Sequence, residues 1–76
     1  MTIDDNIFEL YSQLPNDGGK QLAKNYIADI CGVTVFSSTQ WIKNKQLPKY
    51  LEDGKKYKII AYMQKAIALN NELKTQ

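Results

Sequence analysis

The sequence predicts a small all-α fold, a bundle of four to five helices in a single domain spanning residues 1–76. Apolar residues recur at intervals of three and four along most of the chain, which is the spacing of an amphipathic helix. Turn-forming residues separate these stretches at Pro15–Gly19, Gly32 and Pro48. A chain this short buries only about 60 to 65 percent of the surface that its unfolded form exposes, so one small core is expected.

Two helices are predicted before Gly32. The first covers residues 3–14, with Thr2 as its N-cap and acidic residues in its first turn, where negative charge favours the helix dipole. A loop follows at residues 15–19, PNDGG. The second helix covers residues 20–31, and its apolar face contains Leu22, Ala23, Tyr26, Ile27, Ile30 and Cys31.

Residues 24–43, KNYIADICGVTVFSSTQWIK, have the spacing of two short helices that cross steeply over a tight turn. Ala28 is small where the helices approach each other, and Gly32 can adopt a left-handed backbone in the turn at no steric cost. Thr34 can accept a backbone N–H as the N-cap of a helix over residues 34–45. This spacing predicts a helix-turn-helix whose inner residues are Ile27, Cys31, Val33 and Trp41.

This stretch resembles the helix-turn-helix of the phage Cro and repressor family, whose Ala, Gly, following Val and later large apolar residue correspond to Ala28, Gly32, Val33 and Trp41. The resemblance implies a sequence-specific, repressor-like transcriptional regulator of phage type that places its second motif helix in the major groove. One difference concerns Ser38, because the family usually has a β-branched apolar residue at that position. Val35 and Phe36 also occupy positions where polar residues are common, so the register of this helix is open by one position.

The resemblance also implies which residues contact double-stranded DNA. Because the chain has no Arg, bidentate contact to guanine is not available, whereas Gln40 and Asn44 suit adenine. Val35, Phe36 and Thr39 suit thymine methyl groups, so we expect A·T base pairs at the contacted positions. The full predicted set is Thr34, Val35, Phe36, Ser37, Thr39, Gln40, Lys43, Asn44, Lys45 and Lys49.

The charge distribution is uneven along the chain. Residues 1–34 carry two Lys and five acidic residues, a net charge of −3, whereas residues 35–76 carry eight Lys and three acidic residues, a net charge of +5. The basic part begins with the predicted recognition helix, as a phosphate-facing surface requires.

The residue types present do not suggest catalysis or ligand chemistry. The chain has no His and one Cys, which cannot build a zinc site or an internal disulfide, and Gly18–Gly19 lacks the GK[ST] of a phosphate-binding loop. No apolar run has the length of a membrane span, and the first ten residues do not form a basic and apolar leader. We expect a cytoplasmic protein that is not an enzyme and binds no cofactor, metal, small molecule or membrane.

The C-terminal part permits two interpretations. In the first, Pro48 starts a short helix that Gly54 closes, and a long helix follows over residues 55–73. In the second, residues 50–60 form a hairpin that turns at Asp53–Gly54. That alternative is a winged helix-turn-helix that resembles excisionase and MerR-type DNA-binding factors.

Apolar residues spread over more than one face of the predicted last helix, which favours a homodimer. They are Tyr57, Ile59, Tyr62, Met63, Ile67, Leu69 and Leu73.

An alternative function uses similar features without DNA. In it, Val35, Phe36 and the tyrosines of the last helix bind a protein, as in an antirepressor or another inhibitor.

Overall fold

The computed structural model describes residues 2–16 and 18–74, with side chains through Glu72. This part of the chain forms four helices: α1 (Ile3–Ser12), α2 (Gly19–Cys31), α3 (Val35–Asn44) and α4 (Asp53–Lys74). Residues 2–16 and 18–74 contain no strand. The predicted small all-helical bundle is therefore confirmed, and the winged alternative with a hairpin at residues 50–60 is wrong.

Helix α1 begins with a reciprocal cap and ends two residues earlier than predicted. The Thr2 hydroxyl accepts the backbone N–H of Asp5 at 3.1 Å, and the Asp5 carboxylate accepts the N–H of Thr2 at 3.5 Å. After Ser12, the chain continues in tighter three-residue turns, with the Leu14 N–H donating to the carbonyl of Tyr11. Pro15 explains the early end, because a proline disfavours helical backbone at the residue before it.

Lys20 closes the loop between α1 and α2. Its ammonium donates to the carbonyl of Leu14 at 2.7 Å and to the side-chain oxygen of Asn16 at 2.9 Å. The same ammonium lies 5.7 Å from the centre of the Tyr11 ring. Lys20 therefore holds the loop in place and positions the start of α2.

The turn between α2 and α3 has the predicted backbone. Gly32 is left-handed, with a φ of 68°, and the next N–H, that of Val33, donates to the carbonyl of Ala28 at 3.0 Å. This bond satisfies a carbonyl at the end of α2 that has no partner within the helix. Thr34 is the N-cap of α3, and its hydroxyl accepts the N–H of Ser37 at 3.2 Å.

The segment between α3 and α4 is not a helix, so the short helix predicted to start at Pro48 is wrong. The Leu51 N–H donates a hydrogen bond of 3.1 Å to the Pro48 carbonyl, which forms a single turn. The side chains of Leu47 and Leu51 are both buried in the core. Gly54 closes no helix and turns no hairpin; it lies in the first turn of α4.

Helix α4 starts two residues before the predicted position because the chain around Glu52 favours a helix N-terminus. The carbonyl of Glu52 accepts the N–H groups of Lys55 and Lys56, and Asp53 places a negative charge in the first turn. A strand would direct Ile59 and Ile60 to opposite faces. The helix instead buries both of them in one core.

The core lies where α4 packs across α1 and α2. The rings of Tyr26 and Tyr62 stack with centroids 4.3 Å apart and planes within 7° of parallel, which joins α2 to α4. An ion pair of 2.8 Å between Asp4 and Lys56 joins α1 to α4. The buried apolar residues are Ile7, Leu14, Ala23, Ile27, Ala28, Leu47, Leu51, Ile59, Ile60 and Met63.

The residues of α4 that predicted a dimer surface differ in burial, and Tyr62 and Ile67 among them are half-buried. Ile59 and Met63 are fully buried in the chain's own core, so the spread of apolar residues does not require a partner to cover these two. Tyr57 and Leu69 are exposed, at 64% and 51%. The side chain of Leu73 lies outside the described part of the chain.

Among the described residues, no helix has both the length and the apolar character needed to span a bilayer.

Candidate nucleic-acid interface

Ser38 determines which face of α3 points away from the bundle. Its side chain is completely buried, and its hydroxyl lies 3.0 Å from the carbonyl of Lys24 in α2 and 2.9 Å from the carbonyl of Val35 in α3. The single hydroxyl proton can be donated to either carbonyl. Ser38 thus occupies the inward position that the resemblance assigns to a β-branched residue. Of the six residues predicted to face outward, four are exposed, Val35, Phe36, Lys43 and Asn44, and two are half-buried, Thr39 and Gln40.

The outward row on α3 consists of Phe36, Gln40 and Lys43. Successive helix residues rotate by about 100°, so these three lie within one narrow stripe opposite Ser38. Phe36 is 72% exposed, Lys43 is exposed and Gln40 is half-buried. The predicted residues Val35, Thr39 and Asn44 flank this row.

The first turn of α3 has apolar groups on its surface, and its hydroxyl groups bond within the helix. The Thr39 hydroxyl donates to the carbonyl of Val35 at 2.8 Å. The Thr34 hydroxyl donates to the Ser37 hydroxyl at 3.2 Å while it caps the helix. As a result, Thr39 has no free hydroxyl proton for a ligand, and Val35 and Phe36 dominate this end.

The other end of the face carries amide and ammonium groups. Asn44 and Lys49 line one shallow depression of 260 Å³ with Trp41, so the chain after α3 brings Lys49 back to the end of the helix. Lys43, Asn44 and Lys49 are all exposed, so both ammonium groups are accessible from solvent.

Lys45 is the predicted site residue that the fold separates from the others. It lies opposite Phe36 on the helix and lines a cavity of 540 Å³ together with Asp5 and Glu9 of α1. Its backbone is left-handed, with a φ of 53°, because it ends α3. Two acidic residues therefore share the surroundings of the Lys45 ammonium.

Lys55 is a basic residue near the motif that sequence reasoning missed. Burial raises the pKa of the Cys31 thiol at the end of α2, and the positive charge of Lys55 partly offsets this effect. Only the packing of α4 on α2 brings Lys55 to this turn. Lys56, by contrast, pairs with Asp4 at 2.8 Å. Lys55 and Lys56 are adjacent in sequence, so their different surroundings could not be predicted without the packing of α4.

Comparison of the chain with protein-family models, with curated proteins and with solved structures finds no match. The resemblance to the Cro and repressor family therefore remains a prediction that depends on residues 24–43.

Proposed function

We propose that the chain is a sequence-specific DNA-binding transcriptional regulator of the Cro and repressor type, which acts in the cytoplasm. The observation that carries this proposal is the α2–Gly32–α3 unit, in which Ser38 is buried against α2 and the opposite face of α3 is open. Recognition helices of such units place their outward face in the major groove. The regulator would occupy an operator and either exclude or recruit RNA polymerase.

Affinity and base choice come from different parts of the same face. Lys43 and Lys49 are exposed at the end of α3 and are suited to phosphate contacts, and Lys55 adds positive charge beside the turn. Gln40 and Asn44 can each pair with adenine through their amide groups. The proposal assigns no cofactor, metal or catalytic step to the chain.

The proposal includes a homodimer that occupies two half-sites. Tyr57 and Leu69 are the large, exposed apolar residues of α4, and burying them against a second copy would remove apolar surface from water. Two recognition helices bound to one palindrome would also increase affinity.

The first experiment is a fluorescence anisotropy titration of a mixed, A·T-containing pool of DNA duplexes at several salt concentrations. Three phosphate contacts per chain, six per dimer, predict a loss of affinity of about 2,000-fold between about 50 and 200 mM salt, against about fortyfold for a single bound chain. A Lys43→Gln variant is expected to lower the slope of log affinity against log salt by about one per bound chain. Failure to bind any duplex at low salt would refute the proposal.

Lys65→Gln is the matched control for that titration. Lys65 is exposed on the C-terminal half of α4 and lines a groove with Leu22 and Leu69, away from α3. Both variants remove one positive charge, so the overall charge of the protein changes equally. Lys65→Gln could lower the slope of log affinity against log salt as much as Lys43→Gln does. DNA binding would then depend on overall charge, and α3 would not be the DNA-binding helix.

The exposure of Phe36 favours a second candidate, a protein-interaction module such as an antirepressor or inhibitor. Phe36 is 72% exposed, and aromatic side chains are enriched in protein interfaces. An apolar interface should respond little to salt, whereas DNA binding through lysines must weaken steeply. Salt-insensitive capture of a protein, without duplex binding, would support this candidate.

A further inference from the structure

We propose that the first turn of α3 recognises the C5-methyl group of a pyrimidine in the major groove. This inference rests on the proposed function and names the chemical feature that the same site reads. Thymine and 5-methylcytosine carry this methyl group at the same ring position, so both belong to the proposed ligand class.

The position of Phe36 supports this assignment. The N-terminal residues of a recognition helix contact the base edges, and Val35 and Phe36 are the first two residues of α3. Phe36 is 72% exposed and Val35 is 37% exposed. The end of the helix that approaches the bases most closely therefore carries apolar side chains.

The hydrogen bonds of the first turn support it independently. The Thr39 hydroxyl donates to the Val35 carbonyl at 2.8 Å, and the Thr34 hydroxyl donates to Ser37 at 3.2 Å. Because its hydroxyl proton is already donated to Val35, Thr39 offers its methyl group to a ligand in preference to a donor. In the major groove the C5-methyl of thymine is the apolar group that suits such a surface.

Gln40 lies one turn after Phe36 on the same stripe and is half-buried. Its amide can bond to N6 and N7 of adenine. The stripe therefore presents an apolar group and then an amide, which matches a methylated pyrimidine followed by an adenine along the groove.

The test begins with a duplex selected from a random pool by the wild-type protein. Each thymine in it is replaced in turn by uracil, which keeps the base pairing and removes only the methyl group. Uracil at the contacted position is expected to weaken binding about fourfold, which corresponds to about 0.8 kcal/mol for one buried methyl group. In a second arm, cytosine and 5-methylcytosine are compared in a C·G pair at that position.

The assignment to Phe36 is tested by repeating both arms with Phe36→Ala, and Tyr50→Ala, in the segment between α3 and α4, serves as the control. The two aromatic side chains are 72% and 71% exposed, so neither substitution removes core packing, and circular dichroism verifies that each variant is folded. Phe36→Ala should bind the thymine and uracil duplexes equally, whereas Tyr50→Ala should keep the fourfold ratio. A preference for 5-methylcytosine over cytosine is expected because the methyl group is at the same ring position, and its absence would overturn the inclusion of 5-methylcytosine in the ligand class.

Three results would overturn the inference. Uracil could leave wild-type affinity unchanged at every position, or it could weaken the wild type and Phe36→Ala equally; both results leave DNA binding intact. Absence of duplex binding at any salt concentration would refute the proposed function and this inference together.

Discussion

The hydroxyl of Ser38 lies 3.0 Å from the backbone carbonyl of Lys24 and connects α3 to α2. A serine hydroxyl is small enough for α3 to pack directly on the backbone of α2 at this point. The relationship explains why a polar residue is fully buried between two helices, since its donor has two carbonyl acceptors within reach.

This contact predicts that Ser38→Ala is tolerated better than Ser38→Val. Alanine removes one hydrogen bond, at a cost of about 1 kcal/mol in the free energy of unfolding. Valine removes the same bond and adds two methyl groups in a position with no exposed surface, which adds a further cost of about 1–3 kcal/mol. Urea unfolding followed by the fluorescence of Trp41 measures both variants. Equal stability of the two would show that the site has room for a β-branched residue.

Gly32 and Gly54 form a matched pair for testing backbone conformation. A Cβ atom at either position would meet nothing within 4 Å, so steric contact does not distinguish them. Gly32 has a φ of 68°, and an alanine there should cost about 1–2 kcal/mol. Gly54 lies in the first turn of α4 without a positive φ. An alanine there should raise the free energy of unfolding by about 0.5–1 kcal/mol.

Thermal unfolding of the two variants under identical conditions tests this pair. The midpoint temperature should fall for Gly32→Ala and rise for Gly54→Ala. A decrease of the same size in both would show that Gly54 also needs the freedom of glycine, and that α4 does not begin in a regular helical conformation.

The local signals in the sequence were sufficient for the turn but not for the segment after it. Gly32 and Thr34 act through bonds to residues no more than four positions away, so the sequence alone predicted them. The segment around Gly54 was ambiguous because the same residues suit a hairpin and a helix N-terminus. The burial of Ile59 and Ile60 against α1 and α2 decides between them, and that burial depends on distant residues.

The candidate site was predictable to a similar extent. Helical periodicity identified the stripe of Phe36, Gln40 and Lys43 once Ser38 was placed inward. Lys45 follows the same helix but faces α1, and Lys55 reaches the turn only through the packing of α4. Both differences arise from contacts between helices, which spacing within one helix does not reveal.

Lys45 predicts a stabilising substitution. It ends α3 with a φ of 53°, and a left-handed backbone costs an L-residue about 1–2 kcal/mol. Lys45→Gly should therefore raise the free energy of unfolding by about 0.5–1 kcal/mol after the greater entropy of glycine in the unfolded chain is included. Lys45→Ala removes the same charge and keeps the strained backbone. Chemical denaturation should show a gain only for glycine, and a gain for both variants would indicate that the charge is responsible.

Cys31 predicts a dependence of stability on alkaline pH. Burial raises the pKa of its thiol above the ordinary value of 9.0, so the folded state favours the protonated form. The stabilisation from this group is complete below about pH 9 and is lost as the pH rises through the folded pKa. The free energy of unfolding of the wild type should therefore fall more steeply above about pH 9 than that of Cys31→Ala.

The Cys31→Ala protein provides the control within this experiment. Burial also raises the pKa of Tyr11, and that group titrates in both proteins, so its effect cancels in the difference. A difference between the two proteins that is constant with pH would contradict the raised pKa of the thiol.

Gln40 provides a test of the recognition face that is separate from the test of methyl groups. It lies between Phe36 and Lys43 on the outward stripe, and in the proposed complex its amide pairs with one adenine. Gln40→Ala should relax the preference at a single base pair, at a cost of about 1–3 kcal/mol in binding. Repeated selection from a random duplex pool measures the preference, and Gln64→Ala, an exposed glutamine on α4, is the control. Because Gln40 is a half-buried polar side chain on the outward stripe of α3, thermal unfolding should change little. A weakening that is equal for all sequences would show that Gln40 contacts the phosphate backbone and that the bases are read elsewhere on α3.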